Sequence, residues 1–201
     1  MHQYEALSSE TVYRGRVVAL RRDLVSMPGG TTSQRDVVVH PGAVGVVALD
    51  GDQVLLVTQY RHPVGRPLDE LPAGLLDVDG EQALEAAKRE LAEEAGYAAG
   101  TWNVLVDVLT SPGMTDESIR IYLARDVQPC HRDVQEHEEL EMTCRWVSLP
   151  DAVSAALSGH LENAAAVAGV LAASEAVRRG FEGLRAPEAP WRARPAVAQR
   201  S

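Results

Sequence analysis

Four things are scarce in this sequence, and each scarcity excludes something. Basic charge is the first: 19 lysines and arginines face 29 aspartates and glutamates, a formal net charge of -10. That balance argues against a nucleic-acid backbone or an anionic membrane surface as partner, and leaves a phosphate-rich ligand only where metal cations sit between. Cysteine is the second. Cys130 and Cys144 have neither paired metal-ligand spacing nor the density of a secreted disulfide scaffold, so a reducing compartment is expected. Aromatic rings are the third, with one Phe and three Trp, which leaves few stacking candidates for a base and shifts recognition to polar contacts and a partner subunit. Long apolar runs are the fourth: no segment approaches the roughly 20 residues a spanning helix needs. The start, MHQYEALSSE, has no basic stretch leading into an apolar one, so a soluble cytoplasmic protein without a membrane partner is expected. The 201 residues allow one substantial core and a smaller appendage.

What is present has a clear order. "TVYRGRVVALRRDLV", the turn at Gly29 and Gly30, and "QRDVVVH" read as strands paired across a turn. "AVGVVAL" (Ala43 to Leu49), Asp50-Gly51 and "QVLLVTQYR" (Gln53 to Arg61) form a hairpin whose near-continuous apolar character calls for helices over the sheet. Pro63 to Pro72 is a loop or short strand, followed by a turn and a glutamate-rich helix. Strands follow in "TWNVLVDVLTS", "IRIYLARDV" and "MTCRWVSL", interrupted by the loops "PGMTDES" and "PCHRDVQEHEELE". One helix is predicted to start at Pro150 and another to fill Asn163 to Arg179. The fold class is α/β (α+β), a mixed β-sheet between helices. The expected divisions are an N-terminal antiparallel β segment (1–40), the main domain (41–183) and a loose Pro/Arg/Ala tail (184–201).

The glutamate helix carries the chemistry. Taking about 100° per residue, Ala83, Leu84, Ala87 and Leu91 make its buried stripe, and Glu90 and Glu94 fall at the edge of that stripe or inside it. No lysine or arginine is positioned to answer Glu90, Glu93 and Glu94 together, and Arg89 lies at i-4 and i+4 from Glu85 and Glu93, where it reads as a local brace. Like charges at i,i+4 destabilise a helix by a few tenths of a kcal/mol when exposed, and by more when partly buried. Two readings follow. The glutamates are a solvated face with unhelpful spacing, or divalent cations neutralise the pair, with Glu93 as a further ligand or outer group.

The spacing Glu81, seven residues, Arg89-Glu90-Leu91, Ala92, Glu93-Glu94, Ala95, Gly96, Tyr97 resembles the Nudix box; Gly74 precedes Glu81 by one residue more than that pattern has, which reads as a loop insertion. The flanks "QYRHPVGRPLDELPAGLLD" and "SPGMTDE", with Pro112 sixteen residues after Gly96, resemble the ADP-ribose pyrophosphatase branch, especially its actinobacterial-type members, over roughly residues 5 to 180. The resemblance implies the Nudix fold and hydrolysis of ADP-ribose to AMP and ribose 5-phosphate, with several Mg2+ or Mn2+ ions per active site. ADP-glucose, GDP-mannose, a dinucleoside polyphosphate and a non-catalytic ligand-binding module are the alternatives; NADH is disfavoured because the downstream pattern of its pyrophosphatases is missing.

By the same resemblance Glu90 and Glu94 are the main metal ligands, Glu93 assists, and Ala73 lends its backbone carbonyl. Arg61 and Arg66 grip phosphate, a task suited to the two parallel donors of a guanidinium. Glu70 holds the base or ribose side, Arg35 reaches the adenine from the N-terminal segment, Gly113 allows close approach, and Glu117 fixes its loop or touches the terminal ribose. Glu138, with Glu139 as the close alternative, is the base from the "HEELEM" loop. A homodimer that exchanges its strand-rich N-terminal segment is expected, because exchange buries edges that invite random pairing.

Overall fold

The computed structural model describes residues 2–131 and 142–194. Its elements are β1 (Ala6–Arg14), β2 (Ala19–Met27), β3 (Thr31–Val39), β4 (Ala43–Asp50), β5 (Gln53–Arg61), β6 (Arg66–Glu70), β7 (Ala73–Leu75), α1 (Ala83–Ala95), β8 (Tyr97–Leu109), β9 (Ser118–Pro129), β10 (Thr143–Ser148), α2 (Leu149–Leu157) and α3 (Ala164–Arg178). They fall into two compact units, one of residues 1–42, 109–118 and 193–201, the other of residues 43–108 and 119–192.

The first unit is an antiparallel sheet in the order β1-β2-β3. β2 and β3 pair without interruption from Ala19↔Val39 to Met27↔Thr31 across the turn at Gly29 and Gly30, whose positive φ values of 83° and 76° suit glycine. Two register shifts kink β1 against β2. Every residue of β1 is exposed, and of the three strands only Asp23 is buried, tied to Arg21 at 3.0 Å and to the Ser9 hydroxyl at 2.6 Å. Residues 114–116 lie along β3: Val38 N–H donates to Met114 O at 2.8 Å, and Asp116 N–H donates to Val38 O at 3.3 Å.

The second unit is a mixed sheet in the order β10-β5-β4-β9-β8, with β6 on β5, β7 on β4, and β4 parallel to β9. Alternation along the buried β4 splits its side chains between two cores. Val44, Val46 and Ala48 join Leu91, Ala87 and Tyr122 under α1, while Val47 and Leu49 join Ala166, Val170 and Ala173 of α3 on the other face. The expected sandwich of helices about a mixed sheet is what forms. Gly169 lets α3 come close, since a Cβ there would sit 2.7 Å from Leu71 Cδ1 and 3.0 Å from Val47 Cγ2. The expected hairpin at Asp50-Gly51 pairs its strands at Leu49↔Val54 and Asp50↔Gln53, and β4 is joined beyond it by β7 and β9 while β5 is joined by β6 and β10.

One expectation is corrected. Arg185–Trp191, read from composition as the start of a loose tail, is packed. Val104 N–H donates to Arg185 O at 3.1 Å, Arg120 donates to Ala189 O at 2.6 Å and Pro190 O at 3.1 Å, and the Trp191 ring lies 4.9 Å from the Arg120 guanidinium carbon. A buried arginine needs acceptors for its fork, and the carbonyls of this segment supply them together with Asp107.

Candidate active site

α1 forms because Ala83–Ala95 is rich in alanine, leucine and glutamate, and it stops at Gly96, which takes the left-handed conformation (φ 72°, ψ 32°) and donates its N–H to Ala92 O. Its buried face is Ala83, Ala86, Ala87, Leu91, Glu94 and Ala95, so a carboxylate sits in the packed stripe. Glu94 Oε2 accepts the Ala73 N–H at 2.8 Å, and Ala73 is itself held by pairing with Gly45 of β4. Burial pushes the Glu94 carboxyl up to about 8, with the Ala73 N–H opposing, Glu90 and Glu70 adding to the rise and Arg61 opposing it.

Glu90 lies on Gly74. A Cβ at Gly74 would fall 1.9 Å from Glu90 Oε1 and 2.0 Å from its carboxyl carbon, so only glycine leaves room. Burial raises the Glu90 carboxyl too, with Arg89 opposing and Glu93 and Glu81 adding to the rise.

Arg89 answers Glu90 and Glu93, while Glu94 takes the Ala73 N–H instead. The Arg89 Nη1 donates to Glu90 at 2.7 Å and to Glu93 at 3.0 Å, while Nε and Nη2 grip Glu81 at 2.9 and 3.0 Å. Glu85, the expected i-4 partner, pairs with Lys88 at 2.9 Å. The side chain reaches beyond the helix start to Glu81, so the residue inserted between Gly74 and Glu81 is taken up by the loop and Glu81 still docks on the helix. Hydrogen bonding to Glu81 first, opposed by burial, and the neighbouring Glu90 and Glu93 raise the Arg89 pKa still further.

Next to Glu94 the sequence candidates Arg61 and Glu70 converge. Arg61 Nε and Nη2 bind Glu70 Oε1 and Oε2 at 2.9 and 2.6 Å, a bidentate pair whose carboxylate is almost fully buried. Arg66, opposite Arg61 on β6, pairs with Glu162 in the α2–α3 connection. Asp69 and Arg145, which sequence reasoning did not single out, pair beside them, with the Thr58 hydroxyl on Asp69 at 2.7 Å.

Arg35, Gly113 and Glu117 lie in the first unit. Arg35 is exposed and bonds Gln34 O at 2.9 Å. Gly113 sits in a turn closed by Met114 N–H and Thr115 N–H, both donating to Ser111 O at 3.0 Å, with open space where a Cβ would stand. Glu117 Oε2 accepts the Thr110 hydroxyl at 2.5 Å, which ties the two ends of that loop together. Glu138 and Glu139 lie outside the described residues.

Among the described residues no three acidic, histidine or cysteine side chains already converge as a cation cage. The donors nevertheless suit a hard divalent cation: two carboxylates at i,i+4 on one helix, both raised by burial, Glu94 further by Glu90 and Glu90 further by Glu93 and Glu81, with Glu90 seated in a hollow that a Cβ would fill. No helix among the described residues is long and apolar enough to cross a membrane.

The family model of the NUDIX domain matches residues 39–168. The chain is 49% identical over 195 residues to the ADP-ribose pyrophosphatase of Mycobacterium tuberculosis, covering 96% of this chain and 94% of that protein. It is 36% identical over 152 residues to the ADP-ribose pyrophosphatase of Bacillus subtilis, covering 74% and 80%. Its fold matches the crystal structure of an ADP compounds hydrolase with a TM-score of 0.78 at 23% identity, over 90% of this chain and 98% of that one.

Proposed function

This chain belongs to the Nudix family, and from that premise we propose that it hydrolyses ADP-ribose to AMP and ribose 5-phosphate with Mg2+ or Mn2+. The observation that carries the reading is the pair of Glu94, buried, and Glu90, partly buried, seated on Ala73 and Gly74. The near full-length likeness to an ADP-ribose pyrophosphatase supports the choice of substrate.

Glu90 and Glu94, assisted by Glu93 and the Ala73 carbonyl, hold the cations, of which several are expected per site. Bound there, the ions supply positive charge against the diphosphate and the charge that builds as its P–O bond breaks. Arg89 fixes Glu90 and Glu93 from the side, so that the carboxylates meet the ions already oriented. Arg61 and Arg66 give guanidinium donors to the diphosphate, Glu70 orients Arg61 and the nucleoside end, Arg35 reaches the base, Gly113 allows close backbone approach, and Glu117 meets the distal ribose. Glu138, or Glu139 beside it, accepts a proton from the attacking water. The oxygen of that water ends on one phosphorus, the bridging oxygen leaves with the other, and about two protons are released at neutral pH, one from each new phosphomonoester.

The N-terminal sheet is the dimerising segment in this reading. Three strands need an apolar face packed to be stable, and this sheet leaves Leu7, Val12 and Tyr13 exposed with only Asp23 buried. Exchange with a second subunit supplies the cover and carries Arg35 to the partner's site.

The test is release of phosphomonoester products from a panel of ADP-ribose, ADP-glucose, GDP-mannose and a dinucleoside polyphosphate, with Mg2+, Mn2+ or EDTA. Metal-dependent turnover led by ADP-ribose is expected. Turnover led by another compound would replace the substrate, and binding without turnover would make the protein a ligand-binding module.

A further inference from the structure

His40, at the end of β3, is held on three sides. Its backbone N–H donates to Asp116 Oδ1 at 2.9 Å, and its Nδ1 accepts the Gly42 N–H at 3.1 Å. The second bond selects the tautomer, because a nitrogen that accepts carries no hydrogen, and the ring hydrogen then sits on Nε2. Nε2 faces Glu117 Oε1 at 3.6 Å, while Glu117 Oε2 takes the Thr110 hydroxyl and the Glu117 N–H donates to Thr115 Oγ1 at 3.1 Å. The imidazole is 12% exposed and the Glu117 side chain 26%, so the ring lies behind a carboxylate that keeps an open side.

We infer that His40 is a positioning residue: with Thr110 it holds the Glu117 carboxylate from behind, so that its open side is presented to the hydroxyl pair of the distal sugar in a nucleoside diphosphate sugar. The inference rests on the reading above, in which Glu117 meets the substrate. A carboxylate has about four lone-pair directions. The Thr110 hydroxyl takes one on Oε2, the His40 ring backs Oε1 from 3.6 Å, beyond hydrogen-bond distance, and a vicinal diol takes one on each oxygen. Holding the carboxylate in place before binding removes an ordering cost that would otherwise weaken the contact. The same bonds also anchor residues 114–117 on β3, and loop anchoring alone is the competing explanation.

A double-mutant cycle separates the two. His40→Leu removes the Nε2 donor, Glu117→Gln weakens the acceptor, and His40→Gln keeps an N–H donor on a similar arm. Glu117→Gln is expected to raise KM for ADP-ribose about tenfold with kcat changed little, the cost of replacing one charged hydrogen-bonding group, and His40→Leu, which frees that group's orientation, about threefold. The combined variant should be no worse than the worse single one, and His40→Gln should recover most of the loss. A parental KM in His40→Leu, additive effects in the combined variant, or a fall in Tm that His40→Gln does not relieve would overturn the role. If the parent protein does not turn over ADP-ribose, the reading of function fails on its own. The same four proteins are then compared for ADP-ribose binding by calorimetry, where equal affinities, or no binding to any of them, would overturn the role of His40.

Discussion

Glu90 packs directly onto Gly74, with its Oε1 where a Cβ would project, 1.9 Å from that point. A glycine in the middle of β7 therefore sets where a carboxylate of α1 can stand, and the sheet, the helix and the proposed metal site share one contact.

The first prediction follows from it. Gly74→Ala forces the Glu90 side chain off its seat by an ångström or more. Metal-dependent turnover should fall on the order of 100-fold, the scale of such a displacement in a catalytic group, while Tm moves by only a few degrees. Turnover within a factor of a few of the parent would show that the position of Glu90 is unimportant.

Glu94 gives the second. Its carboxyl is buried and raised to about 8, so near neutral pH it holds a proton that a bound cation would displace. Addition of Mg2+ should raise the parent Tm in proportion to occupancy, and Glu94→Gln should abolish that rise while leaving the metal-free Tm unchanged or higher. Thermal melts with Mg2+ and with EDTA decide this. An equal Mg2+ shift in the variant would remove Glu94 from the ligand set.

The third concerns acid stability. Burial pushes the Asp107 carboxyl up, but its hydrogen bonds to Arg120 and Arg185 and their charges outweigh burial and hold it below its ordinary value of 3.8. A carboxylate with a depressed folded pKa contributes stability that is full above the unfolded value and is lost as pH falls through the folded one. Asp107→Asn should therefore lower stability at neutral pH by about 3 kcal/mol, since it leaves the buried Arg120 without its counter-charge. It should also flatten the part of the acid limb below pH 3.8 in urea melts. A parallel limb in the variant would contradict the assignment.

The fourth concerns assembly. The chain of 21.7 kDa should run as a dimer in light scattering at micromolar concentration. Leu7→Asp or Tyr13→Asp, each on the exposed β1, should weaken it. A monomeric parent would contradict both the exchanged segment and the part given to Arg35.

The helix and its carboxylate pair were legible because each depends on neighbours within two turns. The helix over Asn163 to Arg179, whose first residue proves to be its cap through the Ala166 N–H at 2.9 Å, and the two-faced burial of Ala43–Leu49 were legible for the same local reason. Arg89 braces Glu93 at i+4 as its spacing suggests but not Glu85 at i-4, because spacing does not say which rotamer a long side chain takes: its Nε and Nη2 turn to Glu81, and Glu85 pairs with Lys88. The Arg120 contacts with Ala189 and Pro190 span 69 and 70 residues, and His40 meets Asp116 across 76. No periodicity records such pairings; they exist only once β3, β8 and β9 are laid in place.

The most direct measurement is AMP formation from ADP-ribose by the parent and by Glu90→Gln, with ADP-ribose binding measured on both. The parent should form AMP and ribose 5-phosphate in equal amounts with Mg2+ or Mn2+ and none with EDTA, and the variant should bind ADP-ribose yet lose turnover by orders of magnitude. Turnover that survives EDTA, or a variant as fast as the parent, would contradict a metal-dependent hydrolase centred on this helix.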